Sequence, residues 1–160
     1  MSFFNQLILT LHNLTRWIFL LFALITLVQA FRGWFGKKTY QDSNRKMVSM
    51  FTGIFDLQIL FGLILFFSKG WGDVLMNGGS QAMSTAAVRF FIAEHWMIML
   101  LAVIIAHIGS SQVKKADSDL KKFRRSAIWF GISVILVLAA IPWPGMAAGR
   151  PLLRLFGITI

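Results

Sequence analysis

Cysteine is missing from the 160 residues altogether. Its absence excludes a disulfide, a thiolate metal site, an iron–sulfur cluster and thioether-attached haem, whatever compartment the chain occupies. Charge is scarce as well: Asp, Glu, Lys and Arg make up 14% of the chain against 57% hydrophobic residues. A chain this apolar, with 16 Phe, 6 Trp and a mean hydropathy of +0.70, is not a soluble globule. The first fifteen residues hold no Lys or Arg. They therefore lack the positive start of a cleaved signal peptide, and the apolar run is longer than a signal core. The segment is expected to persist as a mature helix.

What is present is apolar length. Residues 7–31, 47–68, 88–110 and 126–142 are each long enough to cross a bilayer as a helix. The last ends at Pro142-Trp143-Pro144. The expected fold is an all-α membrane protein, a four-transmembrane-helix bundle in which residues 1–160 make one domain. The 69–87 connection, Gly- and Ser-rich around Asn77-Gly78-Gly79-Ser80, shows too little apolar periodicity for a domain of its own. The six Trp gather mostly near predicted span ends, as interfacial belts do.

The net charge of +10 is explained by topology. Arg32, Lys37, Lys38, Arg45 and Lys46 lie between the first two spans, and Lys114, Lys115, Lys121, Lys122, Arg124 and Arg125 between the last two. Eleven of the sixteen basic residues thus occupy two loops. Basic loops stay in the cytoplasm, which puts both termini and the 69–87 loop outside. A nucleic-acid partner is excluded because its binder would not carry this apolar length. Membrane lipid is the expected surrounding.

Few polar residues enter the spans: His12, Asn13 and Arg16 on the first, Asp56 and Gln58 on the second, Glu94, His95 and His107 on the third. Such residues are functional candidates by default. His12 precedes Arg32 by 20 positions and His95 precedes Lys114 by 19. Both imidazoles therefore lie roughly 30 Å from the basic loops, at one level near the outer face. Each half of the chain repeats an early His, a basic hairpin and a return helix, which suggests a parallel pseudo-repeat. Arg16 and Asp56 share a similar depth, and mutual pairing is the cheapest arrangement for both. His107, rotated about 120° from His95, is expected near an interface and bonded to a carbonyl or headgroup.

Haem b needs axial imidazoles from facing helices, small residues beside the macrocycle and cations at the propionates. His12 and His95 supply the ligands. Gly53, Gly62, Ala93, Ala102 and Gly131 are expected to thin the interior, and Arg16, Arg89 and Arg150 to meet the propionates. Met99 shares a face with His95 and is either packing or a soft ligand. A non-haem zinc or iron site would add Glu94 and Asp56 to the two histidines, but no H-x-x-H or E-x-x-H spacing supports it. A proton path through Asp56, Glu94 and His95 is a third possibility. A structural accessory subunit with no cofactor is a fourth.

His12-Asn13-Leu14-Thr15-Arg16-Trp17, Arg89-Phe90 with Glu94-His95, Ile108-Gly109, and Ile141-Pro142-Trp143-Pro144 with Gly149-Arg150-Pro151 resemble a small bacterial four-helix membrane family labelled cytochrome b-like. The likeness spans most of the chain. It implies a compact haem-binding or redox-associated protein of the bacterial inner membrane, and a quinone or a redox protein is a candidate electron partner. Membership of a homo-oligomer or a larger complex would fit the same picture. Where a member carries His on the second helix, this sequence has Asp56, leaving His12 and His95 as the level pair. Haem b binding with electron transfer is the leading expectation, and no enzymatic reaction is assigned.

Overall fold

In the computed structural model, which describes residues 2–156 and 158–159, four helices are long and apolar enough to cross a membrane. The first, α1 (Phe3–Phe35), starts where the Ser2 hydroxyl accepts a hydrogen bond from Asn5 N. At the start of α2 (Asp42–Ser68) the Asn44 side-chain oxygen accepts from Gln41 N at 3.0 Å. Ser118 caps α7 (Asp119–Ala140) by accepting from Lys121 N. The third span is composite: α5 (Ala86–Arg89), a π-helical turn (Phe90–Glu94) and α6 (His95–Lys114) run on without a break. All four begin before the expected positions, and the first and third also run further. Polar turns at the helix ends keep their backbone bonds, while hydropathy registers only the apolar length.

Each of α1 and α6 packs on both α2 and α7, so α1 and α6 stand on the diagonal of a square bundle. The central layer is aromatic. Phe19 lies 5.0 Å from Phe51 and 4.5 Å from Phe55 between ring centroids, and Phe51 lies 4.8 Å from Phe130. The buried Ser133 hydroxyl donates to Ala102 O at 2.9 Å, joining α7 to α6. Backbones approach closely where glycine permits. A Cβ on Gly109 would sit 2.5 Å from Trp129 Cβ, and one on Gly33 would collide with the Phe123 ring. Gly53 and Gly131 behave otherwise. Nothing lies within 4 Å of their Cβ positions, so they do not thin the interior as expected.

The 69–87 connection is more ordered than its sequence suggests, folding into α3 (Trp71–Asn77) and α4 (Gly79–Ser84). Trp71 stacks on Phe91 of the π turn at 5.5 Å. After α7 the chain closes a compact loop in which Arg150 N donates to Pro142 O at 3.0 Å. Gly149 is required there, because a Cβ would lie 2.7 Å from Trp143 O. Two short antiparallel strands follow, β1 (Arg154–Leu155) and β2 (Ile158–Thr159). This strap lies against α1.

Candidate functional site

His12 and His95 come from the diagonal helices and meet across the bundle. Their ring centroids are 6.5 Å apart and their planes are nearly perpendicular, at 79°. The π turn carries an extra residue through Phe90–Glu94, and His95 closes it by donating its N–H to Phe90 O. From there Glu94 reaches Arg89, while His95 reaches inward. His95 Nδ1 lies 2.7 Å from Ala140 O at the end of α7. A carbonyl only accepts, so Nδ1 carries the proton and Nε2 is the bare nitrogen of the neutral ring. Phe90 and Phe91 flank this imidazole at 5.6 and 6.3 Å.

His12 is oriented from α2. Its Nε2 is 3.2 Å from the Gln58 amide, which also bonds the Thr15 hydroxyl. Two proton arrangements satisfy this chain. If Thr15 donates to the amide oxygen and the amide nitrogen donates to His12, a buried Nδ1–H is left without an acceptor, since Nδ1 has no partner. With the amide turned over, Thr15 donates to Leu11 O at 2.8 Å, the amide donates to Thr15, and His12 Nε2–H donates to the amide oxygen. An unpaired buried donor costs about 1–3 kcal/mol, whereas a spare lone pair costs less. The second arrangement is favoured and leaves Nδ1 bare. Gly62, one turn beyond Gln58, gives the ring its room: a Cβ there would sit 3.2 Å from His12 Cε1.

Several expected partnerships are not made. Arg16 does not meet Asp56; it donates to Leu152 O in the strap and lies over the Trp17 ring at 5.2 Å. Asp56 instead accepts from His107 Nε2 at 2.7 Å, so His107 bonds a carboxylate rather than a carbonyl or headgroup. Glu94 is held by Arg89 Nε at 2.7 Å, and Arg89 also donates to Met83 O at 3.2 Å. The Arg89 charge is thus already paired with Glu94. Among the described residues no three His, Asp or Glu side chains cluster to hold a metal, so the His12, His95, Glu94 and Asp56 ion site is not assembled. Asp56 and Glu94 each bond a partner other than His95. Met99 is buried in the core, which makes it packing.

The strap explains the polar face of α1. Trp17 Nε1 donates to Leu152 O at 2.9 Å, Arg154 N donates to Asn13 Oδ1 at 3.4 Å, and Phe156 N donates to Thr10 Oγ1 at 3.2 Å. The attachment brings cations to the histidine end. Arg154 and Arg150 lie close enough to Lys69 that, after burial itself, their charges push its ammonium below the ordinary lysine value. Arg150 also covers the Phe91 ring at 4.7 Å. None of Arg16, Lys69, Arg150 and Arg154 has an ion-pair partner among the described residues. Lys69 and Arg154 are not foreseen from the sequence, because no spacing ties either of them to the histidines. Comparison with known protein families, with curated proteins and with solved structures finds no match. The chemistry of the site is read from its own residues.

Proposed function

We propose that this chain is an integral membrane haem b protein working in electron transfer, in which His12 and His95 would hold the iron. The carrying observation is the facing imidazole pair at 6.5 Å. The hydrogen bonds agree with this. Metal-bound imidazoles give their other N–H to a protein acceptor, which fixes the tautomer. Ala140 O takes that part for His95 and the Gln58 amide for His12. Arg16, Lys69, Arg150 and Arg154 would meet the propionates in place of Arg89.

Bound haem would supply reversible one-electron exchange. The chain's own residues hold the rings in place, with Gly62 letting the His12 ring sit close against α2 and Phe90 and Phe91 packing beside His95. In this reading the two basic loops lie in the cytoplasm and the histidine end in the outer half of a bacterial inner membrane. The test is the visible spectrum of protein expressed with ample haem. A low-spin Soret band is expected, lost or converted by His12→Ala and by His95→Ala and unaltered by His107→Ala. A colourless wild type, or a band that survives the His12→Ala, His95→Ala double change, would sink the assignment.

A further inference from the structure

Asp56 on α2 and His107 on α6 take no part in the histidine site. Their side chains, bonded at 2.7 Å, remain 52% and 53% exposed. Leu57, Leu60, Ile104 and Ile108 are exposed on the same two helices. Asp56 lies fourteen residues after Asp42 and twelve before Ser68, in the middle of its span. Ionisable side chains at that depth nearly always face protein or a water-filled cavity. Here they face outward, into what would be hydrocarbon.

We propose that the α2/α6 face is the interface of a homodimer, two copies related by a twofold axis along the membrane normal, with Asp56 and His107 at its centre. An electrically neutral pair has His107 Nε2–H donating to Asp56 Oδ1 and leaves Nδ1 and Oδ2 as one spare donor and one spare acceptor, whichever of them holds the second proton. The site is therefore complementary to itself. A twofold along the normal keeps every residue at its own depth, so each copy's spare donor stands level with the other's spare acceptor. A different subunit would need to supply both groups at the same height. Gly53 lies one turn from Asp56, is exposed, and has nothing within 4 Å of its Cβ position. It leaves the α2 backbone open to close approach by another helix.

The natural lack of cysteine makes the test clean. Leu57→Cys and Leu60→Cys, each in the full chain in native membranes, are oxidised or bridged with a short thiol cross-linker. Both should give a band at twice the 18.1 kDa chain mass, while Ile135→Cys on α7, also exposed, should remain at monomer mass. Adding Asp56→Leu with His107→Leu to Leu60→Cys should cut the dimer band by roughly tenfold with helical circular dichroism unchanged. The proposal is overturned by no dimer at either α2 position or by equal cross-linking at Ile135→Cys. An adduct of another mass, or a dimer band that withstands the double leucine change, overturns it equally. None of these readouts depends on haem.

Discussion

Gln58 bonds both Thr15 and His12, so one α2 side chain sets the orientation of an α1 imidazole. Gln58→Leu should lower unfolding free energy in detergent by about 1–2 kcal/mol, since two bonds are lost and the buried His12 N–H is stranded, while Thr15 keeps its bond to Leu11 O. Thr15→Val, which leaves the His12 bond in place, should cost about 0.6 kcal/mol. Equal losses would mean that Gln58 does not orient the ring. The histidine pair itself was legible in the sequence, because spacing from a basic loop measures depth. Depth does not specify azimuth. Arg16 and Asp56 share a level yet turn to different neighbours, and only the packing of α2 on α6 shows that Asp56 faces His107.

At the scale of elements, the four spans could be read from apolar length, but not the polar turns that extend them or the π turn before His95. The strap was hidden for another reason. Its anchors are backbone groups of Leu152, Arg154 and Phe156 bonded to side chains 135 to 146 residues away, and no periodicity records such a pairing. Arg16→Leu should therefore loosen the strap and increase proteolysis within residues 144–154. Combined with Asp56→Leu, its effect on stability should be additive to within about 0.5 kcal/mol. A larger coupling in that cycle would mean that the two charges do meet.

For the whole molecule, the asymmetry of charge gives a test of orientation. Lys38→Cys and Lys115→Cys should resist an impermeant thiol reagent in intact cells, and Asn77→Cys should react. Labelling of Lys38→Cys in unbroken cells would invert the molecule. Pairing α1 with the strap also has a consequence for biogenesis. The strap follows every membrane helix in synthesis, and Leu152 emerges 136 residues after Arg16. At bacterial or eukaryotic elongation rates that interval is on the order of ten seconds. Throughout it, Thr10, Asn13 and Arg16 have already been made without their native partners. In the finished fold those three side chains are therefore served last, by backbone groups that are made after every long helix.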